Sequence, residues 1–510
     1  MKHEQSCGFA AEASSRVTGI PGVALATSGP GATNLLTAVG SCYFDSTACI
    51  FLTGQVNQNE MRKNPEQRQN GFQELDIVSM AKGITKFAYQ IKKREEIVEV
   101  MKKAWEISLS GRNGPVLLDI PINIQQQVCE RYIHEFISQD SESIERKSSE
   151  LEKIKGLLLE SSNPAILVGG GIRKSRTDRK FREFAENIGI PVLHSLMGKD
   201  ILDTDSPLNA GMIGTYGNRF SNKILNEADL LLVLGSRLDV RQTGNSIESF
   251  RNGKKIVRID NDETELSGRV IADINVLMEL DFFFEGDIGT QQHPNSNELL
   301  KRLQEYKEMY LPESEQNLES GINPNSLCKW ISQQFSDAKG YLVDVGQHQM
   351  WAAQSINLSN QQRFITSGGM GAMGFALPSA IGASESMSGK WIAVTGDGCL
   401  QLSIGELETL VYRQNQIAIC VLNNSQHGMV AQFQDENMEG RYIGTREGYS
   451  SPNFSVIAKA FDIPSIRISN LEDLPKAQRL IKDWDSGPLL LEFLIPQNAK
   501  ALPKMSKFMN

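Results

Sequence analysis

The chain of 510 residues contains no apolar run of about 20 residues, the length a membrane-spanning helix needs. Nor does Met1 precede the apolar core of a signal peptide. The seven cysteines stand singly, without a Cys-x-x-Cys pair, so neither a zinc site nor a disulfide framework is expected. A reducing cytoplasm is the expected setting. Basic residues form no block and the net charge is −9, which argues against nucleic acid as a partner. What remains is an ordinary globular composition, 40% hydrophobic and 22% charged. At about 150 residues per domain it suggests three domains.

Apolar runs bounded by turn residues alternate with helix-period segments. Residues 23–26, 48–52 and 116–120 read as strands, and 33–39 and 95–108 as helices. This alternation predicts an α/β protein of doubly wound parallel sheets. Residues 128–150 are polar and rich in Ser, Glu and Lys, as a linker with some helix would be. A second α/β unit starts at Pro164. Its apolar runs 165–168, 229–234 and 256–259 end in Gly169-Gly170-Gly171, Gly235-Ser236-Arg237 and Asp260-Asn261-Asp262. A polar stretch, 289–323, bounds it, and a third unit follows. The expected domains are 1–127, 150–288 and 322–497.

Residues 391–430 carry the densest signal. An apolar run, 392–394, leads to Gly396-Asp397-Gly398. One helix-period segment follows, with Ile404, Leu407, Leu410 and Val411 on a face, and then a second run, 417–422, ending in Asn423-Asn424. Strand, turn, helix and strand in this order make the two runs parallel neighbours. Asp397 and Asn424 then stand at strand carboxyl ends, where open α/β sheets bind ligands. Gly396 and Gly398 let backbone approach phosphate oxygens, and the helix behind them points its positive end there. Asp397 offers a hard anionic oxygen and Asn424 a neutral one, suited to Mg²⁺ shared with a diphosphate. Each half alone is an ordinary turn or strand end. Together, at this spacing, they resemble the thiamine diphosphate signature.

Two features of the first unit bear on the other end of such a cofactor. Glu4 sits in His3-Glu4-Gln5 ahead of small residues in a helical pattern. A carboxylate bonded to a ring nitrogen of an aminopyrimidine favours its imino tautomer, which can take a proton from the thiazolium carbon. Ser28-Gly29-Pro30-Gly31-Ala32-Thr33-Asn34 is a Gly/Pro turn that opens a helix and brings backbone N–H groups towards a ligand.

With these residues the chain resembles the acetohydroxyacid (acetolactate) synthase family. Thr53-Gly54-Gln55-Val56, Gly71-Phe72-Gln73-Glu74 and residues 114–121 extend the match in the first unit. Asp344-Val345-Gly346-Gln347-His348-Gln349-Met350-Trp351 and residues 367–374 extend it in the third. The resemblance implies thiamine diphosphate held through Gly346, Gln347, His348, Gln349, Gly371, Gly396, Asp397, Gly398 and Gly428, with Pro30 and Asn34 at its pyrimidine end. It implies Mg²⁺ on Asp397, Asn424 and the Gln426 carbonyl, Met373 as the wedge that bends the cofactor, and Met429 lining the thiazolium pocket. Glu4 would activate the cofactor, and Phe72 and Gln73 would face the substrate. His348 reads equally as a structural histidine. Without the motif, Met373 and Met429 would read as core.

The middle unit is similar to the family's FAD-binding domain, with 235–244 the nearest stretch. Gly169, Gly170 and Gly235 would admit the FAD diphosphate, Arg237 and Arg241 would neutralise it, and Asp239, Asp260 and Asp273 would accept from hydroxyls. Such FAD is structural, since carboligation has no net redox step. A domain that keeps the fold and binds nothing is the alternative, and Ile213 stands where the family often has His.

The resemblance implies decarboxylation of pyruvate and transfer of the two-carbon unit to a second carbonyl, with a place in branched-chain amino acid biosynthesis. The expected assembly is a homodimer or tetramer, with Glu4 of one subunit facing Asp397 of the other, and a regulatory small subunit possible. Phe433 replaces the family's Trp and Asn57 its Pro, which leaves the acceptor open. A nucleotide-linked keto sugar, or simple decarboxylation, is the alternative. The chain starts three residues before Glu4, whereas relatives carry a strand, a helix and a Gly-rich loop ahead of it. A missing inner strand leaves backbone groups unpaired. An unstable or poorly active chain, or a non-catalytic remnant that binds a full-length partner, is the expectation from that difference.

Overall fold

The computed structural model describes residues 1–128, 145–286, 290–359 and 361–505. Most of the polar 128–150 segment lies outside them, and a helix, Glu145–Glu160, follows.

Three sheets, every strand pair parallel, take up the apolar runs. The first has β1 (Gly22–Ala26), β2 (Cys49–Gln55), β3 (Phe87–Gln90) and β4 (Pro115–Pro121) in the order β1-β2-β4-β3. β1 lies at its edge, with Val23 and Leu25 54% and 70% exposed. The second has β5 (Pro164–Val168), β6 (Val192–His194), β7 (Asn209–Met212), β8 (Leu230–Leu234), β9 (Lys255–Asp260) and β10 (Ile274–Leu277), ordered β10-β9-β8-β5-β6-β7. The third has β11 (Gly340–Val343), β12 (Arg363–Thr366), β13 (Trp391–Gly396), β14 (Ile417–Asn423), β15 (Ser465–Ile468) and β16 (Leu489–Leu494), ordered β12-β11-β13-β14-β16-β15. β13 and β14 pair in parallel from Trp391↔Ile417 to Gly396↔Leu422, the adjacency expected of the two runs.

Strand order fixes where a ligand can enter. In the second sheet the chain winds from β5 out to β7 and returns to β8 on the other side of β5. In the third it winds from β11 to β12 and returns to β13 across β11. A crevice opens outside the carboxyl ends at each reversal. The loops flanking the two crevices are Gly169–Gly171 with Gly235–Arg237, and Asp344–Gly346 with Gly396–Gly398.

Helices cover both faces through period-3.6 stripes. Asp178–Ile188 buries Phe181, Phe184, Ala185 and Ile188 against the second sheet. Between 289 and 323, a helix, Ser296–Met309, sends Leu299 and Leu303 into the cores of that same sheet. The helix-period segment after Gly398 is not one helix but two, Asp397–Ser403 and Glu406–Arg413. The break falls at Ile404-Gly405, and Gly is the weakest helix former there apart from Pro.

The small residues after Glu4 have a packing reason. Glu4–Thr18 lies against Ala376–Ser386 so closely that a Cβ on Gly382 would overlap the backbone of Ala10. Phe9 and Phe375 meet edge to face at 5.2 Å. One apolar core therefore runs from Phe9 and Leu35 of the first unit through Leu377 to Trp391 of the third. Burying a side chain of the size of Phe9 stabilises the fold by about 1.5–3 kcal/mol.

Candidate active site

The third sheet's crevice is framed by one carboxylate. Asp344, fully buried after β11, accepts from the amides of Val345 (3.0 Å), Gly374 (3.0 Å), Phe375 (3.3 Å) and Ala376 (3.1 Å), and from the Thr395 hydroxyl (3.3 Å). It fastens the loop carrying Gly371 and Met373 to the end of β11. Burial raises its pKa and the amide bonds oppose that rise.

Beyond it, Asp397 opens a helix at the end of β13 and is 2% exposed. Its Oδ2 accepts from the Tyr449 hydroxyl at 2.7 Å. Burial raises the Asp397 pKa, and the Tyr449 bond pulls it back. Asn424, at the end of β14, donates through Nδ2 to Gln347 Oε1 at 3.0 Å, which turns its Oδ1 to other partners. The Gln426 side chain is engaged by Gln497 O (2.6 Å) and Arg446 Nε (2.6 Å), and its backbone carbonyl, which accepts from Gly428 N at 2.9 Å, keeps one lone pair over. Gly428 is tightly packed: a Cβ would come 2.5 Å from Asn424 Nδ2 and 2.8 Å from Gln347 Cδ, so both amides would have to shift. Gly428→Ala is expected to cost about 1–3 kcal/mol, read as a lowered denaturation midpoint, and to weaken cofactor retention, read by equilibrium dialysis.

His348 is buried beside this crevice, and its Nε2 has no hydrogen-bond partner among the described residues. Burial pushes its pKa down to about 3, so the ring is neutral. A neutral ring with an unsatisfied buried nitrogen suits a ligand atom more than a structural role. Gln349 instead anchors the fold, donating to Thr366 Oγ1 (2.7 Å) and Ser367 O (3.2 Å). Met373 and Met429 are both half-buried.

In the first unit, Glu4 Oε2 accepts from Asn34 Nδ2 at 2.9 Å, a bond that lowers the Glu4 pKa and keeps the carboxylate ionised. Pro30 is the first residue of the helix that carries Asn34. The amides of Lys2 (2.8 Å) and His3 (3.1 Å) donate to Glu406 Oε1, and Lys2 pairs with Glu408. The third unit thus holds the start of the Glu4 helix in place. Gln73 adopts φ 65° and accepts from Ser28 Oγ at 3.4 Å, and Phe72 is 87% exposed. Glu4 shares no hydrogen bond with Asp397, Asn424 or Gln426 among the described residues.

The crevice of the second sheet is a cavity of about 410 Å³ lined by Gly169, Gly170, Gly235, Arg237, Asp239, Arg241, Asp260 and Ile213. Gly235 has φ 56°, and a Cβ there would come 2.8 Å from Gly171 Cα, so the two turns touch backbone to backbone. Arg258, buried behind them, donates to the carbonyls of Glu265 (2.8 Å), Val270 (3.0 Å) and Ser236 (3.2 Å) and so fixes the turn after β8. Asp273 does not join the cavity. It accepts from Ile256 N (2.8 Å) and Arg251 Nη2 (2.8 Å) near the amino ends of the strands, because the turn into β10 delivers it to the opposite edge from the ligand loops. Sequence reasoning missed Tyr449, Lys174 and Arg112. Arg112 reaches the cavity rim from the first unit and binds Asp262 (3.1 Å) and Glu265 (2.5 Å). None lies in a recognisable motif, and only the fold brings them there.

Comparison with known families agrees with this architecture. Residues 1–80 match the thiamine pyrophosphate enzyme N-terminal TPP binding domain, 151–285 the central domain and 344–493 the C-terminal TPP binding domain. The fold is therefore that of a thiamine pyrophosphate enzyme. The sequence is 32% identical to the acetolactate synthase large subunit of Cyanidium caldarium, over 99% of this chain and 87% of that protein. It is 34% identical to the chloroplastic acetolactate synthase 2 of Nicotiana tabacum, over 98% and 76%. It is 30% identical to the large subunit of Corynebacterium glutamicum, over 99% and 82%. The chain belongs to the acetolactate synthase family. Among the described residues no helix is long and apolar enough to cross a membrane.

Proposed function

We propose that the chain is a carboligase that decarboxylates pyruvate and transfers the two-carbon unit to a second carbonyl, giving acetolactate when the acceptor is pyruvate. The arrangement of Asp397, Asn424 and Gln347 around the crevice of the third sheet carries this reading. One carboxylate and two neutral oxygens fit Mg²⁺ bound partly through phosphate, and His348 Nε2 would donate to a diphosphate oxygen as the Nε2–H tautomer. Asp397, Asn424 and the Gln426 carbonyl would hold the metal. Gly346, Gln347, Gly371, Gly396, Gly398 and Gly428 would give the diphosphate room and amide donors. Gln349 would act from behind, by bracing the loop that begins at Ser367. Thiamine diphosphate, when bound, supplies the electron sink that lets a 2-keto acid lose CO₂. Glu4 would hold its proton-accepting carboxylate at the pyrimidine end, with Pro30 and Asn34 shaping that end. Met373 and Met429 would line the apolar middle, and Phe72 and Gln73 would meet the substrate.

The three sheets would act as a pyrimidine domain, an FAD-type domain and a diphosphate domain. Gly169, Gly170 and Gly235 leave room in the middle cavity for the FAD diphosphate, with Arg237 and Arg241 to neutralise it and Asp239 and Asp260 to accept from hydroxyls. A homodimer, with Glu4 of one subunit facing Asp397 of the other across the cofactor, is the assembly this reading expects. A regulatory subunit is in keeping with relatives named large subunits. The free described cysteines suit a reducing cytoplasm.

Purified chain incubated with thiamine diphosphate, Mg²⁺ and labelled pyruvate is expected to yield labelled acetolactate. Release of acetaldehyde alone would defeat the carboligase reading. Phe433, 49% exposed, stands in place of the family's Trp and favours testing other second carbonyls, a nucleotide-linked keto sugar among them, beside pyruvate.

FAD binding has its own signature. Burial pushes the Asp260 pKa up to about 6, so its carboxyl is neutral below that pH and ionised above it. A hydroxyl donating to the ionised form makes affinity fall as pH drops through about 6. Flavin fluorescence titrations between pH 5 and 8 are expected to show that fall, and Asp260→Asn is expected to flatten it.

A further inference from the structure

A second cavity, of about 370 Å³, opens where the three units meet. Its wall holds Arg16 of the Glu4–Thr18 helix, Arg173 and Lys174 of the Gly171–Lys174 helix, Arg176 just beyond, and Arg363 of β12. Asp200 is its acidic lining residue. Nothing in the carboligase reading uses this space.

The charges here do not close. Arg16 donates to Glu12 (2.5 Å) and Asp45 (2.7 Å), Arg173 to Asp178 (2.9 Å), and Arg363 to Asp200 (2.7 Å). Among the described residues Lys174 Nζ finds only the Thr47 hydroxyl, at 3.5 Å, and Arg176 only the Gly19 carbonyl. Both partners are neutral. Arg173 Nε, buried, has no hydrogen bond and lies 3.5 Å from Asp200 Oδ1. Burial and the nearby Arg16 push the Lys174 pKa down to about 7, against the pull of Asp45 and Glu12. Two cations with neutral partners line a single space.

We propose that this junction binds a phosphate group, either inorganic phosphate or the head of a phosphate monoester. A phosphate anion suits a wall on which Lys174 and Arg176 have no ion-pair partner among the described residues, and its tetrahedral oxygens accept from guanidinium and ammonium donors approaching from several directions. A ligand there ties the first, second and third units together. Gly170 and Lys174 line this cavity and the middle one, so occupancy bears on both.

The test is isothermal titration of the full chain with inorganic phosphate and, separately, with glycerol phosphate, in EDTA and without thiamine diphosphate. Saturable binding is expected, with a rise in melting temperature. Lys174→Met and Arg176→Gln are each expected to weaken it about tenfold. Arg176 is exposed, so its variant reports even if Lys174→Met folds poorly. Preference between the two probes identifies which source the site takes. Absence of saturable binding, or equal affinity in both variants, overturns the proposal. So does binding lost in Asp397→Ala but kept in Lys174→Met, which would put the phosphate in the third sheet's crevice. Phosphate that FAD displaces and that Arg176→Gln binds as tightly as the parent chain overturns it too, by putting the anion in the middle cavity.

Discussion

Asp397→Ala is expected to lower carboligation about a thousandfold, the several kcal/mol of transition-state stabilisation that a metal-held diphosphate carries. The physical argument gives this variant an unusual profile. Asp397 is 2% exposed and its charge is disfavoured by burial, with the Tyr449 hydroxyl as side-chain partner. Removing a carboxylate that is short of counter-charge does not weaken the metal-free fold. Melting curves without cofactor should therefore match the parent chain or lie above it. The upward shift on adding thiamine diphosphate and Mg²⁺ should disappear. A variant that keeps both that shift and turnover would remove Asp397 from the metal site.

Glu4→Gln is the complementary case. Glutamine preserves the shape and an acceptor for Asn34, and it removes the charge that the Asn34 bond stabilises. Carboligation is expected to fall by about 10²–10⁴, the range for loss of general acid–base catalysis, while cofactor affinity stays near that of the parent. Single-turnover kinetics beside calorimetric affinity separates the two effects. A fall in affinity with turnover per bound cofactor intact would make Glu4 a binding group only. Mixing Glu4→Gln with Asp397→Ala chains adds a test of assembly. A dimer whose sites combine Glu4 of one subunit with Asp397 of the other recovers one sound site in each mixed pair, and sites contained within one chain recover none.

How much of this was legible in the sequence depended on distance along the chain. β13, β14 and the residues at their ends lie within one stretch, so the alternation of apolar runs and glycine turns placed Asp397 and Asn424 on neighbouring strands. The strand ends Gly169 and Gly235 were legible for the same reason, and the parallel order makes them meet. Ile404-Gly405 misled, because hydrophobic period persists across a helix break when both pieces pack on the same core. Asp273 misled because composition does not say at which end of a strand an acidic turn lies. Tyr449, Arg112 and the charges around Arg16 were invisible, since their partners lie far off in the chain and no spacing rule links them. Asp344 was read as part of a diphosphate segment, while its carboxylate spends its bonds on the amides of a distant loop.

The core that joins Phe9 and Leu35 to Leu377 and Trp391 belongs to neither outer unit by itself. The second sheet, by contrast, has apolar clusters of its own on its two faces. Cut into separate genes, the outer units would each present an apolar face that only the other can cover, and activity would return only when both are made together. Trans-complementation should thus succeed for these two pieces.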